Sequence, residues 1–403
     1  MMKRTILAVL AAVVSVGAFA CTSVIVSGKI TPDGRPLLLK NRDADDLDNL
    51  VAMLQGEKYK FIGIVATNDV KMENVWSGHN EKGFAIFNTD AFNLNGKEKP
   101  EQENDGKVMK RALGICATLK DFEHLLDTLS KPMYLNSNFG VMDAQGNCAY
   151  FETSSKGYTK YDVNDPKVAP YGYLVRTNHA MTGDRSLDQG IERYMAISDL
   201  MENAAFAGSV NRDLLLRQAT RHLTNGMTKT NLYDDMPESG TVDKMYPYID
   251  FISRYYTASA DVIQGVKPGE DPLLTISWTI IGCPLTTVAV PLMITKSGKL
   301  PEVVVRNGDG FSELCHYGLE AKKQLYPMTR GNGLNYINLP KLVNKQGTGC
   351  VQRLQPIETE IIRRGEQAID ALRRDVNSPK AAKAMDDYYQ WADSYIRTEL
   401  MRK

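Results

Sequence analysis

The residue best suited to covalent chemistry is Cys21, which directly follows Ala18-Phe19-Ala20. Small residues one and three positions before a cut are typical of a signal-peptidase site, so cleavage there would make Cys21 the first residue of the mature chain. A free N-terminal cysteine carries a nucleophilic thiol and an α-amine with an ordinary pKa of about 7.7–8.0, which leaves part of the amine neutral near pH 7. Such a residue can supply both nucleophile and general base. The pattern predicts attack on a carbonyl by Cys21.

The residues before Cys21 have the pattern of a removable leader. Lys3 and Arg4 precede an apolar run over residues 6–16, which at eleven residues is too short for a membrane span of about 20. We therefore predict a signal peptide over residues 1–20 and an exported protein, periplasmic or extracellular. The alternative is a lipoprotein signal that would acylate Cys21 and anchor the chain. The strand-like residues 22–26 argue against it, because a lipoprotein usually continues with a polar tether.

Composition limits the partners that the chain could bind. Lysine plus arginine and aspartate plus glutamate count 48 each, so no net charge or basic stripe favours nucleic acid, and we predict a small-molecule partner. No Cys-x-x-Cys or His-x-x-x-His pair is present, so the sequence predicts neither a metal nor a cofactor. Apart from Cys21, five cysteines remain, with room for one disulfide among Cys283, Cys315 and Cys350.

Cys21 must be positioned by the elements that follow it. Residues 22–27 and 37–40 flank Thr31-Pro32-Asp33-Gly34, so the mature chain is predicted to open with a β-hairpin. Further strands are predicted at 60–67, 74–78, 84–88, 139–143, 148–153, 171–177, 274–282 and 286–295, and helices at 107–129, 187–202, 212–223, 357–374 and 380–402. This order favours an α+β fold, two packed sheets covered by helices, in one domain over 21–403 with a helical C-terminal segment from about 355.

Several segments together resemble the N-terminal-nucleophile (Ntn) cysteine hydrolases. This superfamily includes choloylglycine hydrolases, penicillin V acylases, acyl-CoA:6-aminopenicillanate acyltransferases and a dipeptidase family. Cys21-Thr22-Ser23, the Asp33-Gly34 turn and Lys40-Asn41-Arg42-Asp43 resemble the dipeptidase branch, whereas residues 80–86, 138–146 with Glu152, and Val175-Arg176-Thr177-Asn178-His179 resemble the acyltransferase and choloylglycine branch. The resemblance covers residues 21–200 and implies an αββα sandwich in which the nucleophile begins an inner strand.

The predicted hairpin and the resemblance add candidates near Cys21. Asp43 lies just past the second hairpin strand, and the hairpin would return it to the chain start, where its carboxylate could hold or orient the α-amine; the alternative is an exposed loop acid. Lys40 stands where related enzymes carry an arginine that contacts the cysteine. Lys40 and Arg42 share one face of an extended strand, so either cation could lower the thiol pKa.

The resemblance also implies an oxyanion donor and a helical arginine. Asn178 matches the family's asparagine, whose amide binds the oxyanion or positions the nucleophile. Asn88 is a second candidate donor, with Asp90 competing for the same place. Arg193 resembles a helix-borne arginine near the nucleophile, and Arg185 is the alternative.

We therefore predict an exported amidase that hydrolyses a linear amide C–N bond through a thioester on Cys21. If an amine outcompetes water at the thioester, the same site is an acyltransferase. Conjugated bile acids, N-acyl amino acids or amines, penicillins and dipeptides all remain candidate substrates. A cysteine protease would need a histidine such as His179, but no cysteine has a protease signature. The non-enzymatic alternative is a surface binding protein anchored through acylated Cys21.

Overall fold

A computed structural model describes residues 20–95 and 104–402 of the chain. The predicted signal peptide therefore lies outside the described residues, apart from Ala20. Within these ranges the strands are β1 (Thr22–Val26), β2 (Leu37–Asp43), β3 (Asn49–Gln55), β4 (Lys60–Ala66), β5 (Ser77–Asn80), β6 (Ala85–Asp90), β7 (Ser137–Met142), β8 (Cys148–Thr153), β9 (Tyr158–Asp162), β10 (Tyr173–Arg176), β11 (Met245–Pro247), β12 (Thr257–Gln264), β13 (Ile276–Ile281), β14 (Ala289–Leu292) and β15 (Tyr336–Asn338). The helices are α1 (Asp105–Ile115), α2 (Leu119–Thr128), α3 (Ile191–Phe206), α4 (Glu313–Leu325), α5 (Leu339–Leu342), α6 (Cys350–Arg374) and α7 (Pro379–Glu399).

Two antiparallel sheets form the centre of the fold. Sheet A has the order β10-β1-β2-β12-β13-β14 and sheet B the order β3-β4-β5-β6-β7-β8-β9, while β11 and β15 pair separately. Ile25 of sheet A belongs to the same buried cluster as Phe87 and Tyr150 of sheet B, so the two sheets pack face to face.

Helices cover the outer face of each sheet. Phe122 of α2 packs in a cluster with the outer side chains of sheet B, and Ile197 of α3 and Ile361 of α6 pack against sheet A. Because successive side chains on a strand point to opposite faces, each central strand contributes to both an inner and an outer core. The predicted αββα sandwich is confirmed.

The opening hairpin forms as predicted, and β1 pairs with β2 from Thr22↔Asn41 to Val26↔Leu37. The predicted single helix over 107–129 is instead two helices, because Thr118 begins α2 with a capping box to Asp121. The predicted helix over 212–223 is shorter and π-helical, at Leu214–Ala219.

The second half of the chain departs further from the prediction. Strand β12 lies in the centre of sheet A, within a region where no strand was predicted, and α4 was also missed. All six cysteines are within the described ranges, and each is buried and free, so the pair considered among Cys283, Cys315 and Cys350 is not formed. No helix in the described part of the chain is long and apolar enough to cross a bilayer.

Candidate active site

Cys21 lies immediately before β1 and is 5% exposed. In the β1–β2 ladder Ser23 is opposite Lys40. Cys21 lies two positions before Ser23 and Arg42 two positions after Lys40, so all four side chains are on the same face. This face points toward sheet B, since the Oγ of Ser23 lies 2.9 Å from the hydroxyl of Tyr150 on β8. The fold therefore buries the candidate nucleophile between the sheets, beside two cations.

Lys40 is the buried cation that acts most strongly on the thiol. Its Nζ donates hydrogen bonds to the main-chain oxygen of Trp76 (2.8 Å) and to Oδ1 of Asn88 (2.7 Å), and the residue is only 2% exposed. Burial lowers the pKa of Lys40 to about 8, although the nearby Cys21 opposes this shift. An ammonium held by neutral acceptors can stabilise a thiolate without being neutralised by a carboxylate.

Arg42 is held beside the indole ring of Trp76. Its Nη1 donates to Oδ1 of Asn49 (2.8 Å), and its guanidinium lies 4.8 Å from the centre of the Trp76 ring. Burial lowers its pKa, and Cys21 is the first of the charges that oppose this effect. Both predicted cations thus lie near the thiol.

The Cys21 thiol itself is not acidified in the chain that still carries Ala20. Burial raises its pKa, and this effect outweighs both the Lys40 ammonium and a hydrogen bond from the main-chain N–H of Asp43, which act in the opposite direction. The predicted influence of Lys40 is present, since its ammonium lowers the thiol pKa, but the desolvation of a thiolate between two sheets has the larger effect.

Asp43 contacts the site from two sides. Its main-chain N–H donates to the Cys21 thiol, whereas its carboxylate accepts hydrogen bonds from Nε of Arg254 (2.7 Å) and Oγ1 of Thr257 (2.6 Å). The structure places the carboxylate in an ion pair that sequence reasoning did not foresee. Arg254 and Thr257 carry no motif, and the region before residue 270 shows no clear periodicity, so only the tertiary structure identifies them.

Arg193 clamps the start of β1. Its Nη1 donates to the carbonyl oxygen of Cys21 and to Oγ1 of Thr22 (3.1 Å), while its Nη2 donates to Oδ1 of Asn178 (2.8 Å). Gly190 permits this approach, because a Cβ there would lie 2.3 Å from Nη2 of Arg193. One guanidinium thus fixes the candidate nucleophile and the candidate oxyanion donor together.

The alternative to Arg193 lies elsewhere. The side chain of Arg185 is 68% exposed and pairs with Asp188 at 2.8 Å. The structure therefore brings Arg193, and not Arg185, to Cys21.

The two candidate asparagines occupy different places. Asn178 is fully buried, and its Nδ2 donates to the main-chain oxygen of Asp90 (3.1 Å). Asn88 accepts from Lys40, and its Nδ2 lies 3.2 Å from Oγ of Ser137. Asn88 therefore supports the lysine, whereas Asn178 is held by the arginine that contacts Cys21.

His179 contacts other groups. Its Nδ1 lies 3.0 Å from the main-chain oxygen of Gln189 and 3.3 Å from Oγ1 of Thr177, and burial lowers its pKa. No group of three or more His, Cys, Asp or Glu side chains within the described ranges could hold a metal ion.

A comparison with protein families supports the predicted resemblance. The family model of acyl-coenzyme A:6-aminopenicillanic acid acyl-transferase matches residues 30–221, a segment that carries Lys40, Arg42, Asp43, Asn178 and Arg193. The resemblance to Ntn hydrolases is thereby confirmed. The match supports an enzyme of the amidase or acyltransferase type that acts on a C–N bond.

Several solved structures are similar to this chain. A mutant conjugated bile acid hydrolase from Clostridium perfringens shares 12% identity and a TM-score of 0.39 over 68% of this chain and 92% of its own. An N-acylethanolamine-hydrolyzing acid amidase ortholog from Caenorhabditis elegans shares 14% identity and a TM-score of 0.38 over 62% and 93%. Penicillin V acylase from Agrobacterium tumefaciens shares 12% identity and a TM-score of 0.35 over 68% and 87%. No curated protein matches the chain.

Proposed function

We propose that this chain, an Ntn-type relative of the acyltransferase family, is an exported amidase that hydrolyses linear amides with Cys21 as its nucleophile. One observation carries the proposal: the Arg193 guanidinium contacts both the carbonyl oxygen of Cys21 and the side chain of Asn178. A nucleophile and an oxyanion donor held by one rigid group have the preorganised geometry that acyl transfer requires.

The chemistry begins when removal of residues 1–20 frees the α-amine of Cys21. The sulfur attacks the amide carbonyl while the thiol proton passes to the α-amine, and the Asn178 amide stabilises the resulting oxyanion. The protonated α-amine then donates its proton to the leaving nitrogen as the C–N bond breaks, leaving a thioester. Water, deprotonated by the same amine, attacks the thioester, releases the carboxylic acid and restores the thiol.

Lys40 and Arg193 have different tasks in this mechanism. Lys40 stabilises the thiolate by its charge, against the desolvation that raises the Cys21 pKa. Arg193 binds neutral oxygens and acts as a positioning residue.

The amidase proposal is tested with protein processed to Cys21 and with its Cys21→Ala variant. Amine release is measured on conjugated bile acids, N-acyl amino acids and amines, penicillin V and dipeptides. We expect Cys21-dependent release from at least one class. Cys283→Ala, which removes another buried free thiol, is the matched control and should keep full activity. Release that persists in Cys21→Ala, or none from the processed protein on any class, would contradict the proposal.

Export and processing have a separate test. The intact mass of the native protein should correspond to an unmodified chain that begins at Cys21. A diacylated N-terminus would instead support the lipid-anchored binding protein, since acylation removes both the nucleophile and its base.

The matched family favours acyl transfer as a second candidate, because its described activity is that of a transferase. The two outcomes differ only in whether water or an amine attacks the thioester. Adding 6-aminopenicillanic acid during turnover separates them: a transferase forms the new amide, and a hydrolase releases only the acid.

A further inference from the structure

Two successive residues, Trp76 and Ser77, connect sheet B to the cations beside Cys21 at the point where β5 begins. The main-chain oxygen of Trp76 accepts a hydrogen bond from Nζ of Lys40 at 2.8 Å. The centre of its indole ring lies 4.8 Å from the guanidinium carbon of Arg42. A group that fixes this dipeptide therefore also fixes both cations.

Asp261 in β12 holds the dipeptide from the opposite sheet. Its Oδ2 accepts a hydrogen bond from Oγ of Ser77 at 2.7 Å, and its Oδ1 accepts from Oγ1 of Thr279 at 2.8 Å. Thr279 is opposite Asp261 within sheet A, whereas Ser77 belongs to sheet B. Asp261 is only 3% exposed, and hydrogen bonds to an ionised group are stronger than those between neutral groups. Its carboxylate is thus a fixed bridge between the sheets beside Trp76.

Asp261 is also a cross-strand neighbour of Lys40. The two residues are directly opposite in the β2–β12 ladder, so their side chains leave sheet A on the same face. Burial raises the pKa of Asp261 to about 6, although the Ser77 and Thr279 hydroxyls and the Lys40 charge oppose this shift. The carboxylate is therefore ionised near neutral pH and favours the ammonium form of Lys40. The other charged groups that act on Lys40 are Cys21, Arg42, Asp90 and Asp105.

We infer that Asp261 is a positioning residue that holds Lys40 as an ammonium beside Cys21. It acts through the Trp76 carbonyl, which it fixes by way of Ser77, and through its own charge opposite Lys40. This inference rests on the proposed function and adds a supporting residue to it. Asp261 lies outside residues 30–221, so this support comes from the part of the chain beyond the family match.

The test measures alkylation of Cys21 by iodoacetamide in processed protein, because this rate does not depend on turnover. Asp261→Asn keeps the side-chain size but removes the charge and one of the two acceptor oxygens. It should slow alkylation near neutral pH about three- to tenfold, the effect of a rise of about half a unit to one unit in the thiol pKa. Asp393→Asn is the matched control, since it changes a buried aspartate on α7 that accepts from the main-chain N–H groups of Glu302 and Val303. It should leave the rate unchanged.

A double-mutant cycle decides whether the effect passes through Lys40. In a Lys40→Met background, Asp261→Asn should cause no further decrease, because no ammonium remains to be held. A merely structural role predicts a different pattern: loosened packing would speed alkylation of Cys21 and of the buried Cys283 together, in either background. Ser77→Ala is a smaller change that removes the bridge and keeps the charge. It should also slow alkylation of Cys21, and it decides the inference if Asp261→Asn does not fold.

Three results would overturn the inference. They are a wild-type alkylation rate in Asp261→Asn or, if that variant does not fold, in Ser77→Ala; an equal decrease with and without Lys40; and faster labelling of Cys21 and Cys283 together. The proposed function fails separately, if no amide is hydrolysed in a Cys21-dependent way. The alkylation rates still decide the role of Asp261 in that case.

Discussion

The two halves of the chain contribute differently to the site. Residues 20–221 supply the groups assigned to chemistry: Cys21, Lys40, Asn178 and Arg193. The residues after 221 supply Arg254 and Thr257, which hold the Asp43 carboxylate, and Lys322, which fixes the turn that carries them through main-chain oxygens. The groups assigned to the reaction and the groups that support Asp43 are therefore encoded in separate stretches of sequence.

Strand β2 is where the halves meet. It pairs with β1 on one edge and with β12 on the other, so Lys40 is opposite both Ser23 and Asp261. Every residue of β2 is buried. Changes in the second half can therefore reach the nucleophile through main-chain hydrogen bonds as well as through Asp43.

Removing the proposed oxyanion donor should have the largest effect among substitutions that keep the thiol. We expect Asn178→Ala to lower kcat about 100- to 1,000-fold with little change in KM, because the donor acts mainly in the transition state. Asn164, whose side chain contacts the far end of β1 at Ser27, gives the control. An Asn178→Ala enzyme with normal kcat would place the oxyanion donor elsewhere.

Removing the ammonium of Lys40 should slow alkylation of Cys21. Because Lys40 lowers the thiol pKa, Lys40→Met should reduce the iodoacetamide rate near neutral pH by about tenfold, the size of a one-unit pKa change. Lys322→Met removes a buried lysine from the other half and should leave this rate unchanged. Mass spectrometry of the modified peptides measures the alkylation rate of Cys21 in both variants. Equal rates in Lys40→Met and wild type would contradict the role of this charge.

The same lysine should also make stability depend on pH. Its pKa is about 8 in the folded chain against an ordinary value of 10.5, so between these pH values the unfolded state binds more protons and the free energy of unfolding rises with pH. Relative to Lys40→Met, the wild type should gain up to about 3 kcal/mol across this window. Denaturant titrations of both proteins at the two ends of this pH window measure the difference in the free energy of unfolding. Parallel pH profiles would mean that the folded lysine keeps its ordinary pKa.

The smallest effect on activity should come from Lys322. Lys322→Met leaves two main-chain oxygens without their donor and should lower the free energy of unfolding by about 1–3 kcal/mol. It should lower kcat/KM less than Asn178→Ala does, since Lys322 only fixes the turn beside Asp43. A loss of kcat/KM as large as that of Asn178→Ala would contradict this supporting role.

The opening of the fold could be read from the sequence because its signals are local. The Pro-Asp-Gly turn between two apolar runs determines the hairpin, and strand alternation correctly places Lys40 and Arg42 on one face. The choice between Arg185 and Arg193 stayed open because both lie near the start of a helix. Only the packing of α3 against β1 separates them.

The second half could not be predicted in the same way. Arg254 meets Asp43 across 211 residues of sequence, and no motif announces such a contact. Strand β12 has the sequence TASADVIQ and is fully buried in the centre of its sheet. Its small and polar residues do not form the apolar pattern that would predict such a strand. One of its polar side chains, Asp261, is buried against sheet B, where Ser77 donates to it at 2.7 Å.

The α-amine of Cys21 is the proposed general base, and blocking this amine tests the assignment. A mature chain that retains one extra residue before Cys21 keeps the thiol, the fold and Asn178, but its amine becomes a non-basic amide. We expect hydrolysis to fall about 100- to 10,000-fold and to return when the residue is trimmed off. Full activity in the blocked chain would contradict this mechanism and show that the base lies elsewhere, with His179 the first residue to test.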